Sequence, residues 1–286
     1  MIVRSAVALL VLVASCASFA ADAGATGRRA AQRTRVVAAS TASGRRIAPR
    51  PMIPIAVATT ERTVAISFDD GPDPRWTPAV LDALAEADAR ATFFVTGQSV
   101  RAYPDLVRAI VVAGHEIANH TDTHPQFDDI DAATVAVEVR EATEAIVSAG
   151  VEAAPFFRPP RGRYGADTLR VVDAAGLRSV GWTVCLERWL RRRGPVRGVD
   201  DAVRQTAPGG IIVAHDGGIP DRSLTVAALP TLLTRLRGEG FRIVTVSDLL
   251  RLGPAILGRP GESAPNTPYV TGLRYDVRSV ITARPR

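Results

Sequence analysis

The chain has 286 residues, 47% of them hydrophobic, with 20 prolines. That is enough apolar content for one large or two small globular domains with added tails, and it excludes a wholly disordered chain. The formal charge of +6 is unevenly placed: residues 1–50 hold eight arginines against one acid, Asp22, while the remainder nets −1 from 27 arginines and 28 acids. A core with that balance does not draw a polyanion, which argues against nucleic-acid binding.

No lysine is present, a pattern that reads as compositional bias rather than phosphate-binding design. The two cysteines are Cys16, in the leader, and Cys185. The folded part therefore has no internal disulfide and no thiolate zinc ribbon, so any metal site there must use histidines and carboxylates.

From the N-terminus, a charged Met1–Arg4 segment, an apolar run at 6–14 and small residues through Ala23 read as an export signal. It is too short for a comfortable membrane span. Cleavage after Ala20 or Ala23 fits, and Val13-Ala14-Ser15-Cys16 offers a second reading as a lipoprotein signal. Residues 24–60 are expected to be a flexible linker, since the segment is rich in Ala, Arg, Ser, Thr and Pro without an apolar period.

From Thr63 strand and helix patterns alternate. Strands are predicted at 63–68, 91–96, 115–118, 155–158, 178–184, 210–215 and 242–246. Helices are predicted at 77–87, 104–113, 132–149, 166–175, 199–206 and 226–238, with a final helical turn at 247–252. Glycines just past several helices (Gly114, Gly150, Gly176, Gly240) match C-cap positions. Seven β-then-α units predict an α/β fold with about seven parallel strands, as a barrel or a doubly wound sheet. Polar residues recurring at the C-terminal strand ends favour the barrel. Residues 61–252 are taken as the catalytic domain and 253–286 as a C-terminal extension, of which 269–281 reads as an extended segment.

The chain is organised around Ser67-Phe68-Asp69-Asp70-Gly71-Pro72, a buried strand that delivers two carboxylates to a Gly-Pro turn. The same residues also make an ordinary turn. Downstream, His120-Thr121-Asp122-Thr123-His124 allows two imidazoles to converge on one ion if the segment makes one turn, and Pro125 sets that turn in a loop. With Asp70 the set is two histidines and a carboxylate, the donor pattern of a catalytic zinc-type site with an open position. Asp69 is then positioned as general base. His215, at the end of a predicted strand, suits a general acid or a satisfied core histidine. Arg158 is suited to orient Asp69 and hold it ionised, and the rigid Pro-Pro segment to present the Arg161 backbone N–H to an oxyanion.

Together these motifs resemble the polysaccharide deacetylase family, carbohydrate esterase family four, over about residues 62–252. Its first motif, Thr-Phe-Asp-Asp-Gly-Pro, corresponds to Ser67–Pro72, and its second, His-Ser/Thr-x-x-His, to His120–His124. Its third, Arg-Pro-Pro-Tyr-Gly, corresponds to Arg158–Gly162 with Arg161 in place of Tyr, and its fifth, Leu-x-x-His, to Ile212–His215. The resemblance implies a distorted (β/α) barrel and metal-dependent deacetylation. It implies Asp69 as base, Asp70, His120 and His124 as metal ligands, and His215 as acid. Trp189 and Ile212 become candidates for an apolar pocket around the acetyl methyl group, or for plain core packing.

The fourth motif departs from the family. Its Asp-x-x-Asp-Trp aligns with Cys185 to Trp189, so both acids are lost and Arg188 stands beside Trp189. An arginine there would lower the pKa of a neighbouring histidine, and Glu187 substitutes for the acid if the loop shifts by one residue. The expected protein is therefore an exported or envelope-anchored monomer without a transmembrane span. It removes acetyl groups from an N-acetylated cell-wall glycan, with zinc, or cobalt or another divalent ion, as cofactor. Chitin-like oligomers, acetylxylan, and a glycan-binding protein with weakened catalysis remain as other readings.

Overall fold

The computed structural model describes residues 51–127, 130–219 and 221–262. The predicted export signal with Cys16, the Arg-rich residues 24–50 and the segment 269–281 lie outside them.

In chain order the strands and helices among the described residues are β1 (Ile53–Val57), β2 (Thr63–Asp69), α1 (Thr77–Glu86), β3 (Ala91–Val95), α2 (Gly97–Ala102) and α3 (Pro104–Val112). They continue with β4 (Glu116–Asn119), α4 (Ala132–Ser148), β5 (Phe156–Phe157), α5 (Ala166–Ala174), β6 (Arg178–Ser179), β7 (Val184–Cys185) and α6 (Leu186–Gln205). The last are β8 (Ile211–His215), α7 (Ser223–Gly238), β9 (Arg242–Val244), α8 (Val246–Leu250) and β10 (Ala255–Gly258).

β2 is buried along its whole length, and its alternation divides the molecule into two layers. Val64, Ile66 and Phe68 join the cluster that packs against the helices, with Leu229, Leu232, Leu233 and Leu236 of α7. Ala65 belongs to a second, inner cluster with Phe94 and Ile211. Ser67 and Asp69 share that inner face. Burial on both faces is what parallel strands under helices require, and it explains the near-continuous apolar run in the sequence.

The main sheet is entirely parallel, in the order β6-β5-β4-β3-β2-β8-β7, with β9 alongside the first half of β2. Its two edges, β6 and β7, are consecutive in the chain and separated by residues 180–183 alone. Four residues reach at most about 14 Å, so the sheet must curl until its edges nearly meet. The result is the predicted curled barrel, but the single strand expected at 178–184 is split. Its middle crosses the seam instead of pairing along it: Gly181 N–H donates to Pro54 O, and Thr183 N–H to Ile211 O.

The seam is covered by the antiparallel pair β1–β10. Within the described residues, a strand at Ile53–Val57 stands where the end of the linker was expected, and another at Ala255–Gly258 where the extension was expected to begin. Ile53, Ile55, Ala56 and Val57 are buried, and Ile55 reaches Gly181 and Gly258. An exposed apolar strand is unfavourable, and here the open barrel edge offers the burial.

A second correction concerns the helix expected at 199–206. α6 starts at Leu186 and kinks at Gly194 (φ 75°, ψ 173°), with Pro195 opening its second half. The Arg-Arg-Arg-Gly-Pro run hides the apolar period in its first half.

Ile55→Ala is expected to lower the unfolding free energy by about 2–5 kcal/mol, measured by urea denaturation, whereas Met52→Ala, on the same strand edge but 56% exposed, should change it by no more than about 0.5 kcal/mol.

Candidate active site

β2 delivers the two carboxylates by different means. Asp69 is the last strand residue and faces the barrel interior, buried. Asp70 takes a left-handed backbone (φ 74°), and Gly71 follows. The chain turns there, so adjacent side chains that would point to opposite faces reach one site. Gly71 is required by its surroundings, since a Cβ would lie 2.3 Å from Asp216 Oδ1.

Arg158, following β5, is fully buried. Its Nη1 donates to Asp69 Oδ1 and to Ser67 Oγ, each at 2.7 Å. Nε donates to Val180 O at 3.3 Å and Nη2 to Gly181 O at 3.2 Å. The guanidinium lies 3.9 Å from the Phe94 ring centroid. Asp69 and Arg158 are thus a buried ion pair.

The Arg158 carbonyl also accepts from His120 Nδ1 at 2.7 Å. A carbonyl cannot donate, so Nδ1 carries the proton and the Nε2 lone pair is free. That Nε2 lies 3.4 Å from Asp70 Oδ1, and His124 Nε2 lies 3.3 Å from the same oxygen. The three ligand atoms of Asp70, His120 and His124 all fall within 4.8 Å of one another.

Asp70 Oδ1 is buried without a hydrogen-bond donor, while Oδ2 accepts from Arg222 Nη2 at 2.9 Å. A buried carboxylate oxygen facing two imidazole nitrogens and no donor fits a divalent cation between them. Burial would raise the Asp70 pKa, but the His120 contact and the surrounding imidazoles hold it well below the usual carboxylate range. Burial and the neighbouring His120 ring keep the His124 pKa down, so the ring stays neutral as a ligand must.

The loop carrying both histidines is fixed from outside. Glu138 on α4 accepts from Asp122 N–H at 2.9 Å, Thr123 N–H at 2.8 Å and Thr123 Oγ at 2.7 Å. Gly97 and Gln98 N–H, at the start of α2, donate to Thr121 O and Asp122 O.

β8 pairs with β2 in register, so His215 stands directly beside Asp69. His215 Nδ1 lies 3.1 Å from Glu187 Oε2, and Glu187 Oε1 accepts from Thr225 Oγ at 3.0 Å. Burial alone would lower the His215 pKa. The Glu187 carboxylate outweighs it, with Asp70 and Asp69 adding to the effect, and the pKa is raised to about 9.

The polysaccharide deacetylase family model matches residues 56–180. A chitooligosaccharide deacetylase of Rhizobium leguminosarum is 39% identical, over 64% of this chain and 89% of its own length. A peptidoglycan-N-acetylglucosamine deacetylase of Bacillus cereus is 38% identical, over 68% of this chain and 91% of its own. The chain belongs to the polysaccharide deacetylase family. By family it is a hydrolase of acetyl groups on polysaccharides.

One solved structure of similar fold is a mutant with restored activity of a pseudoenzyme of carbohydrate esterase family four from Bacillus anthracis. It has a TM-score of 0.61 and 27% identity, over 67% of this chain and 68% of that one. A polysaccharide deacetylase therefore has to be judged on its own side chains.

In this one, Arg188 is exposed on α6 and does not contact His215. α6 begins at Leu186, which turns Glu187 inward, so the charge reversal expected at the fourth motif does not reach the histidine. Ile212 is fully buried in the helix-facing cluster, the core packing that the sequence left open for it. Trp189 is half-buried against that same cluster. Arg161 is exposed at the rim, with φ 56°.

Sequence reasoning gave no part to Arg222, to the clamping contacts of Glu138, or to Asp216. Asp216 is fully buried and accepts from Thr77 Oγ at 2.6 Å. Burial, reinforced by Asp70 and Asp69, pushes its pKa up to about 7. No motif marks these residues, because their partners lie far away in the chain.

Arg158→Met leaves Asp69 buried without its counterion, and denaturant titration should record a loss of about 3–5 kcal/mol in unfolding free energy. Because the raised pKa keeps His215 protonated up to about pH 9, kcat/KM should fall as pH rises through that value. In Glu187→Gln this high-pH limb should move to lower pH, by about one pH unit or more.

Proposed function

We propose that the chain is a metal-dependent hydrolase that removes acetyl groups from an N-acetylated, peptidoglycan-like cell-wall glycan. The carrying observation is the register of β2 and β8, which sets Asp69 and His215 side by side next to the Asp70, His120 and His124 cluster.

When bound by these three ligands, a divalent ion supplies Lewis acidity to the water and to the acetyl carbonyl. Two histidines and one carboxylate form one of the catalytic zinc ligand sets, so zinc is the ion proposed, with cobalt or another divalent ion as substitutes.

Asp69 takes a proton from the attacking water, and the hydrogen bond from Arg158 keeps it aimed. The water oxygen adds to the acetyl carbon. The backbone N–H of Arg161 is the candidate donor to the resulting oxyanion. The carbon–nitrogen bond then breaks, His215 gives its Nε2 proton to the leaving amine, and acetate departs. Glu187 favours the imidazolium that this step consumes.

The expected export signal and the cell-wall glycan fit one setting, the cell envelope. No helix among the described residues is long and apolar enough to cross a membrane. The chitooligosaccharide deacetylase relatives support chitin-like oligomers as the second substrate class. A pure glycan-binding protein is disfavoured by the intact Asp69–Arg158 and His215–Glu187 pairs, which binding alone does not require.

Acetate release from N-acetylated glycans should depend on added zinc or cobalt and vanish on chelation. Asp69→Asn should lower kcat by at least about a hundredfold. Stoichiometric zinc binding without acetate release from peptidoglycan, chitooligosaccharide or acetylxylan would sink the deacetylase reading.

A further inference from the structure

We propose that Arg222 is a positioning residue for the metal-ligating carboxylate: by holding Asp70 Oδ2 it limits Asp70 to one donor oxygen, Oδ1, and keeps a position on the ion open for the reactants. The role rests on the metal-dependent reading above and gives that site a determinant outside its motifs.

Arg222 stands just before α7 and is 4% exposed. Its Nη2 donates to Asp70 Oδ2 at 2.9 Å and its Nε to Gly217 O at 2.7 Å. Arg75, Arg108, Arg170 and Arg251 behave differently: each pairs at the surface with an aspartate two or three residues away. Pairs of that kind contribute little. Arg222 reaches across 152 positions to a carboxylate that is buried with it. A pair in that setting carries a desolvation cost, so its geometry is specific.

The two Asp70 oxygens have divided surroundings. Oδ1 lies 3.4 Å from His120 Nε2 and 3.3 Å from His124 Nε2 and receives no hydrogen bond. Oδ2 faces the guanidinium. The glycines that follow Asp216 close over the same residue. A Cβ on Gly217 would lie 2.6 Å from Asp70 O, and one on Gly218 would lie 2.8 Å from Asp70 Oδ2. Through its Nε bond to Gly217, Arg222 ties this turn to the carboxylate. Turn and arginine together grip one oxygen and leave the other to the histidines.

A carboxylate ligates a cation through one oxygen or through both. Through both, Asp70 with His120 and His124 would supply four donors and fill a tetrahedral set. Through Oδ1 alone it supplies three protein donors, the count in catalytic sites that keep an open position. The guanidinium opposes the second contact in two ways. It occupies Oδ2, and its charge repels a cation that moves towards that oxygen. Arg222 therefore lowers the affinity for the ion while it keeps the site open.

The test uses the full chain, Arg222→Met and Arg222→Lys, with Arg222→Gln taking the place of Arg222→Met should thermal melts show that the latter does not fold. Zinc affinity is read by competition with a chromophoric chelator, and the ligand set from the visible spectrum of the cobalt-loaded protein. In Arg222→Met the cobalt bands should change in position and intensity. Zinc should bind as tightly as in the wild type or more tightly, while kcat for acetate release falls about tenfold or more. Arg222→Lys, which restores a cationic donor, should return the wild-type bands and most of the activity. Cobalt bands in Arg222→Met identical to those of the wild type would overturn the role. So would zinc affinity lost together with kcat, the mark of a merely structural contact. Either result leaves the metal-dependent reading in place. A wild type that binds neither zinc nor cobalt would remove that reading, and the role of Arg222 with it.

Discussion

Arg158 is the constraint on which the rest of the site depends. Its guanidinium fills the barrel interior at the seam, where strands β6 and β7 do not pair, and satisfies the carbonyls of Val180 and Gly181 there. The same group neutralises Asp69, and its backbone carbonyl sets the tautomer of His120. One residue therefore closes the fold, pairs with the base and aims a metal ligand. A buried cation of this kind is tolerable only because every N–H direction meets an acceptor or an aromatic face.

The reacting groups come from separate parts of the chain and meet through strand register. Parallel pairing of β2 with β8 aligns Asp69 with His215, and pairing of β3 with β4 sets the loop that carries His120 and His124 at the same end. Around them lies a polar web of Glu138, Arg222, Glu187 and Thr225, whose contacts hold side chains rather than touch a reacting atom. Such outer contacts fix ligand orientation and lower the reorganisation needed on binding.

The strand periods, the two-carboxylate turn and the spaced histidines were legible in the sequence because each is encoded within five or six residues. The residues that support them were not. Arg222 is 152 positions from Asp70, and Glu138 acts on a loop fifteen positions away across a helix. The fourth motif misled for a related reason. Whether Glu187 or Arg188 faces His215 depends on the phase of α6, and that phase is set by where the helix starts and by the packing of Leu186 and Leu190. β1 was hidden by its setting after an Arg-rich tract and by Pro54. Its apolar side chains become informative only once the barrel edge that they cover is known.

The β1–β10 pair has a further consequence. Ile53 lies opposite Gly258, so the first and last strands among the described residues run side by side. A domain with adjacent ends can be inserted into, or tethered within, a longer polypeptide without distorting either. Tension applied between those ends would load the ladder from Ile53 and Gly258 inward, opening its pairs in succession. The first interior surface uncovered would be the seam at Gly181, so strain on the ladder reaches the residue that pairs with Asp69.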